Sequence, residues 1–262
     1  MWLLPSKNRP DQCREALEAF KKFGCTPGVL WVDGDPKGYD KIILPDGWVI
    51  KHGSGGIGEA CKWQYRVFPD REWYGWMADD MRPETIEFDL KLIYECRGVH
   101  FVFCNGGDHK SPKYAPAKGD VPDTIPSVMM WGGKLLEAVG WYFPPWLTRT
   151  CADEAWKHLA KAAGVAVYKH DVIVRHLHWL SGGRDMDGVD MEAWNSSTPD
   201  RKRLSSWMNS DEFDQDVLRI TNTLGSKDER HRVLKPWNAD RSAMVRSSQT
   251  AIPLERLQQS GH

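Results

Sequence analysis

Apolar residues in this chain come in two rhythms. Short unbroken apolar runs bounded by Gly, Pro or Asp occur at residues 2–4, 29–32, 73–77, 100–104, 165–168 and 172–174, and each reads as a buried strand. Between them, apolar positions recur at helical spacing. The first such stretch, 12–23, carries Cys13, Ala16, Leu17 and Phe20, with Asp11 as N-cap or first-turn acid and Gly24 as its stop. Further helices are predicted over 59–68, 84–96, 134–139, 153–163 (stopped by Gly164) and 211–223. Residues 42–44 and 48–51, around Pro45-Asp46-Gly47, read as a strand pair.

The order strand, helix, strand over the first 32 residues predicts a β-α-β unit with parallel strands and a right-handed crossover. Extended along the chain, it predicts an α/β fold with a central, mostly parallel sheet flanked by helices. Residues 105–126 are rich in Gly, Pro, Lys and Asp and lack periodicity, as in a long functional loop. After His178 the character changes: 181–199 reads as loop, 211–223 as an amphipathic helix, and 227 onward as a charged tail. Two regions follow, a sheet domain over 1–180 and a C-terminal extension over 181–262 that packs on it or trails from it.

Composition narrows the functional classes. The 262 residues carry a formal net charge of −1, so no global field for a polyanion exists, although a local basic patch can. Fourteen tryptophans offer flat faces for sugars or bases, but core filling accounts for most of them more simply. The six cysteines (Cys13, Cys25, Cys61, Cys96, Cys104, Cys151) form no Cys-x-x-Cys pair and read as reduced, mostly buried thiols of a cytoplasmic protein. Met1-Trp2-Leu3-Leu4 lacks a basic leader and is cut short by Pro5, unlike a signal peptide, and no apolar run is long enough to span a membrane.

Two clusters about a hundred residues apart carry the candidate chemistry. Trp76-Met77-Ala78-Asp79-Asp80-Met81-Arg82-Pro83 delivers two adjacent carboxylates at a strand end. Val172-Ile173-Val174-Arg175-His176-Leu177-His178 delivers two imidazoles on one face of a strand. Together they could hold a hard divalent cation, Mn²⁺ or Mg²⁺, against a diphosphate. An ordinary acidic turn and one core histidine account for the same residues equally well. Gly53-Ser54-Gly55-Gly56-Ile57-Gly58 lacks the Gly-Lys-Ser/Thr ending of a phosphate loop, yet its amides could meet a phosphate at a helix start. Asp153 and Glu154 open a helix, as acids that complement its dipole or as a general base.

In order, these segments resemble a family-2-like glycosyltransferase of the GT-A fold, with the phage-type, DNA-modifying members nearest in look. Leu3-Leu4-Pro5-Ser6-Lys7-Asn8-Arg9-Pro10 looks like the strand and loop that receive the nucleotide, and Val32-Asp33-Gly34 like the strand end whose Asp meets the base. Met77-Ala78-Asp79-Asp80 resembles the Asp-x-Asp metal motif, followed by Phe88-Asp89 where relatives tend to have Trp-Asp. Ser127-Val128-Met129-Met130-Trp131-Gly132 with Ala138-Val139-Gly140-Trp141 looks like the acceptor side. Ala152-Asp153-Glu154-Ala155-Trp156 resembles the acidic motif that supplies the base of inverting members, and the stretch 168–178 the closing strand with its metal-binding histidine. The resemblance covers residues 1–179 and departs from the family at Ala78, where a strict motif has its first Asp.

The resemblance implies a transferase that moves a sugar from a nucleotide-sugar, a UDP-sugar foremost, to an acceptor hydroxyl. It implies donor binding by Pro5, Ser6, Arg9, Asp33 and Asp79, metal binding by Asp80, His176 and His178, and a catalytic base at Asp153 if the reaction inverts. Trp131, Trp141 and Trp156 are the implied acceptor-stacking residues. Phage-type members imply a hydroxymethylated pyrimidine in DNA as acceptor, with Arg201-Lys202-Arg203 and the tail residues Arg230, Arg232, Lys235, Arg241 and Arg246 on its backbone. A polysaccharide or small-molecule acceptor stays open. So do a monomer or homodimer, and two other readings: a sugar-phosphate nucleotidyltransferase, and a nucleotide- or DNA-binding protein whose metal site has decayed.

Overall fold

A computed structural model describes residues 1–106, 126, 128–179 and 183–224. The loop expected over 105–126 and the charged tail from 227 lie almost wholly outside the described residues. The described chain forms strands β1 (Trp2–Lys7), β2 (Gly28–Asp33), β3 (Val49–Gly53), β4 (Trp73–Trp76), β5 (Met81–Pro83), β6 (Phe101–Asn105), β7 (Met129–Gly132) and β8 (Ala166–His176). The helices are α1 (Pro10–Phe23), α2 (Gly56–Val67), α3 (Phe88–Cys96), α4 (Gly133–Val139), α5 (Ala152–Ala162), α6 (Gly188–Met208) and α7 (Asp211–Leu224).

The strands make one mixed sheet in the order β3-β2-β1-β4-β7-β6-β8-β5. β1, β2, β3 and β4 run parallel, β6 runs parallel to β8, and β7 and β5 run against their neighbours. This is the α/β architecture expected from the sequence. Side chains of β1 alternate between the two faces of the sheet, as the pleat requires. Trp2 and Leu4 join Leu17 and Phe20 of α1 and Phe88 and Leu92 of α3 on one face. Leu3 joins Trp63 of α2, Leu135 of α4, Trp156 of α5, Trp207 of α6 and Ile220 of α7 on the other.

Several predicted elements differ. β1 does not stop at Leu4. The carbonyls of Met1 and Leu3 accept amides of β4 and its continuation, so Pro5 is the next β1 residue to face that side. β4 has left β1 by then, since their register covers only Trp2 and Leu3. A proline with no amide therefore fits in an interior strand, because no partner needs the bond. The strand pair around Pro45-Asp46-Gly47 does not form. Residues 42–44 are not strand and Ile43 is exposed, whereas β3 pairs in parallel with β2. Trp48 instead folds beneath β2, its indole on Gly28 and its Nε1–H donating to the Thr26 carbonyl at 3.0 Å. The separate strands expected at 165–168 and 172–174 are one strand, β8.

The largest correction is α6, where 181–199 had the look of loop. Its apolar residues keep no single face and Pro199 sits inside it. Its start is fixed by a reciprocal cap: Asp187 accepts the amides of Val189 and Asp190, and Asp190 accepts that of Asp187. Leu204 and Trp207 of α6 and Ile220 of α7 are buried in the sheet core. Of the six cysteines, five are buried and Cys25 is exposed. Among the described residues no helix is long and apolar enough to cross a membrane.

Asp89 ties α3 to the start of β2. Its buried carboxylate accepts the amides of Cys25 and Thr26, both at 2.8 Å, and the Thr26 hydroxyl at 2.6 Å. Thr26 Oγ1 in turn accepts from the Trp2 indole at 2.9 Å. Asp89→Ala removes the acceptor of the Cys25, Thr26 and Leu90 amides and of the Thr26 hydroxyl, most of them buried, and a loss of about 3 kcal/mol or more in urea unfolding is expected. A loss near zero would show that water satisfies them.

Candidate active site

In the strand order β3-β2-β1-β4, the chain moves one way from β1 to β2 and the other way to β4. A crevice opens at such a switch point, beyond the carboxyl ends of the strands. Here β4 splays from β1 after Trp76, and its continuation Ala78-Asp79-Asp80 curls across the end of β1. Ser6, buried near the end of β1, donates to Asp79 Oδ2 at 2.7 Å and bonds the Tyr39 hydroxyl at 2.7 Å. Asn8 turns the chain in the left-handed region, a conformation Asn tolerates, and delivers Arg9 into the crevice.

Arg9 is the hub. Its Nη1 lies 3.5 Å from Asp79 Oδ1, its Nε donates to Asp187 Oδ2 at 2.7 Å, and its Nη2 lies 2.8 Å from Asp190 Oδ1. A second arginine, Arg184, donates to both oxygens of Asp190 and lies 3.3 Å from Asp80 Oδ2. Asp80 Oδ1 lies 3.3 Å from His176 Nε2 at the end of β8. The His176 and His178 rings are neighbours, 5.1 Å apart, although β8 ends at His176, so the shared-strand-face expectation does not describe His178.

The two adjacent carboxylates are driven apart in proton affinity. Burial, and then the charge of Asp80, push Asp79 up to about 6 against the pull of Arg9. Burial would raise Asp80 too, but His176 and Arg184 outweigh it and hold Asp80 down to about 2. Asp153 lies in the first turn of α5. It is only half-buried by exposure, yet enough protein surrounds its carboxyl for burial to dominate and push it up to about 6, while nearby His176 pulls the other way.

Ser6, Arg9, Asp79, Asp80, His176 and His178 are therefore brought into one neighbourhood, and Asp153 at the start of α5 lies near enough to His176 to feel its charge. Pro5 lies beside them on β1. Asp33, at the end of β2, is turned away toward the glycine-rich segment and accepts the Gly56 amide at 3.0 Å. That amide is thus already taken by a carboxylate. Trp131 and Trp156 are buried in the core, and Trp156 donates its indole N–H to the Tyr142 carbonyl at 2.9 Å. Neither can present a face to an acceptor. Trp141 is half-buried and packs on Trp156 and Trp207. Arg184, Asp187, Asp190 and Tyr39 are the participants that sequence reasoning missed. The Asp187-x-x-Asp190 spacing of a capping box was available to find two of them.

Whether a cation fits is a question of donor chemistry. Asp80 Oδ1 is buried and makes no hydrogen bond among the described residues. With His176 Nε2 at 3.3 Å, it offers one oxygen and one nitrogen at a separation that two ligands of one ion can adopt. Among the described residues no three His, Cys, Asp or Glu side chains form a complete metal site, so the expected set of Asp80, His176 and His178 is not assembled as such.

No family model and no curated protein matches the chain. Among solved structures, it is similar to TarS of S. aureus at 12% identity and a TM-score of 0.46, covering 66% of this chain and 36% of that one. A shorter TarS structure, residues 1–349, gives 14%, 0.46, 67% and 60%. Glucosyl-3-phosphoglycerate synthase from Mycobacterium tuberculosis, solved with Mn²⁺, uridine diphosphate and phosphoglyceric acid, gives 11%, 0.47, 73% and 72%. The chain thus spans between about a third and three fifths of the TarS structures.

The Arg9 network is testable as a structural unit. Arg9→Ala leaves Asp79 buried beside Asp80 without its cation, and a loss of about 3–5 kcal/mol is expected in chemical unfolding. Arg9→Lys should restore little, because a lysine cannot span Asp79, Asp187 and Asp190 together. Adding Asp79→Asn to Arg9→Ala should recover part of the loss. An additive double variant would show that Arg9 and Asp79 are not energetically coupled.

Proposed function

We propose that this chain is a glycosyltransferase that moves a sugar from a nucleotide-sugar, a UDP-sugar foremost, to an acceptor hydroxyl. The observation that carries this reading is the convergence, beyond the ends of β1, β4 and β8, of Ser6, Arg9, Asp79, Asp80 and His176, with Asp153, a carboxyl that burial pushes up to about 6, close enough to His176 to feel its charge. Ser6 and Arg9 are placed to seat the diphosphate end of the donor, and Asp33, one strand further, the nucleoside end. For the diphosphate to reach Arg9, it takes over donors that Asp187 and Asp190 occupy in the free protein. A divalent cation, held by Asp80 and His176, would supply Lewis-acid neutralisation of the leaving diphosphate. Asp153, ionised, accepts the proton of the acceptor hydroxyl if the reaction inverts; if it retains, Asp153 positions the acceptor.

Two acceptor classes follow from the sequence, a hydroxymethylated pyrimidine in DNA and a saccharide. The described residues proposed for DNA are partly committed elsewhere: Arg201 lies 3.7 Å from Glu154, and Arg203 pairs with buried Asp200 at 2.8 Å. The tail arginines and Lys235 lie outside the described residues. A second reading, a nucleotide-binding protein without catalysis, is favoured by one observation: Arg9 and Arg184 already neutralise the acidic pair.

Donor hydrolysis separates the two. UDP-glucose and UDP-N-acetylglucosamine are incubated with the full chain, with and without Mn²⁺, and released UDP is measured. The transferase requires Mn²⁺-dependent release that Asp80→Ala abolishes; release indifferent to Asp80→Ala removes the cation role. Since a base acts only when ionised, the rate should rise with pH through about 6 and fall below it. Asp153→Asn should lower it by about 10²–10⁴-fold and remove that limb. A limb that persists in Asp153→Asn assigns the titration to another group.

A further inference from the structure

The two halves of α6 are held to the body by different forces. The second half is anchored by apolar burial, with Leu204 and Trp207 in the sheet core. It is also stapled at its start: the buried Asp200 carboxylate accepts the amides of Thr148, Arg149 and Thr150 at 3.1, 2.9 and 2.9 Å. Between Gly188 and Pro199 the only buried residue is Asp190. Trp194 meets Trp179 at 5.7 Å, edge to face, yet stays 54% exposed. The first half therefore rests on the body mainly through charges.

Those charges are few and specific. Arg9 grips Asp187 with two parallel bonds, Nε to Oδ2 at 2.7 Å and Nη2 to Oδ1 at 2.5 Å, the fork with which a guanidinium also takes a phosphate. Arg9 Nη2 lies 2.8 Å from Asp190 as well. Lys7 and Arg149 close on Glu192 at 2.8 and 2.6 Å, and Arg149 also donates to the Val189 carbonyl at 3.0 Å. Just before the helix, Arg184 pairs with Asp190 and reaches Asp80 at 3.3 Å. Glu192 is exposed, so its pairs are weak. The fork on Arg9, whose side chain is 9% exposed, is the strongest of these ties.

The junction between the halves is built to bend. Pro199 has no amide, so the carbonyl of Asn195 one turn earlier loses its helical partner. The hydroxyls of Ser196 and Ser197 donate to the carbonyls of Ala193 and Trp194 at 2.9 and 2.7 Å, a competition that loosens the helix at the same point. A charge-held half, a weak joint and a half pinned at Asp200 together make a hinged arm.

We propose that residues 184–199 form a clasp that shuts the crevice in the free protein, and that a diphosphate opens it by taking the place of Asp187 on Arg9. The clasp makes the site self-inhibited. An entering anion must displace the protein's own carboxylates, so its apparent affinity is lowered in proportion to the fraction of molecules that are open. Opening withdraws Arg184 from Asp80 in the same motion, and frees Lys7 and Arg149 from Glu192. The donor as source of that diphosphate rests on the transferase reading above; the clasp and its hinge do not.

Hydrogen exchange of the full chain, read by mass spectrometry with and without inorganic pyrophosphate at matched ionic strength, tests this with no sugar donor present. Once lifted from the body, so short a half-helix does not hold its own hydrogen bonds. Amides of 188–199 should therefore exchange about tenfold faster with pyrophosphate bound, while those of 200–208 stay protected. Asp187→Asn removes the charge from Arg9 but keeps an N-cap oxygen. It should show the faster exchange without ligand and bind pyrophosphate about fivefold more tightly in isothermal titration. Glu192→Gln, on an exposed side chain, should act in the same direction by a smaller factor and melt with the parent. The proposal is overturned if pyrophosphate leaves 188–199 as protected as before, if Asp187→Asn binds it no more tightly, or if 188–208 respond as one unit. Pyrophosphate-driven opening in a protein that hydrolyses neither UDP-sugar would sustain the clasp and remove only the transferase reading. Hydrolysis of a UDP-sugar with 188–199 still protected would remove only the clasp.

Discussion

The crevice at the end of β1 depends on one buried guanidinium. Arg9 reaches Asp79 from the β4 continuation and Asp187 and Asp190 from the start of α6, so one side chain joins three segments distant in sequence. Two adjacent aspartates in a buried turn repel each other, and the protein resolves this by giving each its own cation, Arg9 for Asp79 and Arg184 for Asp80. The result is a network in which Asp187 and Asp190, at the start of α6, sit on Arg9. Under the proposed reading, the diphosphate of the donor would replace them there.

The sheet makes this arrangement available at low strain. β1 is held on one side by β2 along its whole length and on the other by β4 for only two residues. Pro5 marks the point of separation and Ser6 lies just beyond it, free to bond Asp79 across the gap at 2.7 Å. α6 and α7 bury Leu204, Trp207 and Ile220 in the same core as the sheet. Residues 183–224 are thus part of the body that shapes the crevice, and Arg184, Asp187 and Asp190 are as well placed in it as any residue of the strands.

Much of this was legible in the sequence where one physical signal dominated. Buried parallel strands are continuous apolar runs, so β1, β2, β4 and β6 stood out, and α1 showed its apolar stripe between Pro10 and Gly24. The grouping of Ser6, Arg9, Asp79, Asp80, His176 and Asp153 came from the resemblance to family-2-like glycosyltransferases, carried by the order of the motifs. What failed did so for separable reasons. Trp48 and Ile42 to Leu44 looked like paired strands, but Trp48 buries itself by folding under β2. β7 is only four residues long and follows a stretch without periodicity. α6 lacks an apolar face and contains Pro199, and its one clear signal, the acid at each end of Asp187-x-x-Asp190, is local. Exposure of individual tryptophans leaves no trace in sequence, and so Trp156 and Trp194 could not be told apart.

The central claim is that a nucleoside diphosphate binds at the β1–β4 switch point, and a thermal-shift comparison of UDP, GDP and CDP, each with and without Mn²⁺, tests it most directly. A ligand that binds only the folded protein raises its stability with the logarithm of concentration over Kd. One nucleotide, UDP foremost, should raise the melting temperature in a Mn²⁺-dependent way, and Ser6→Ala should reduce that rise. No shift with any of the three nucleotides, in either metal condition, would contradict the account.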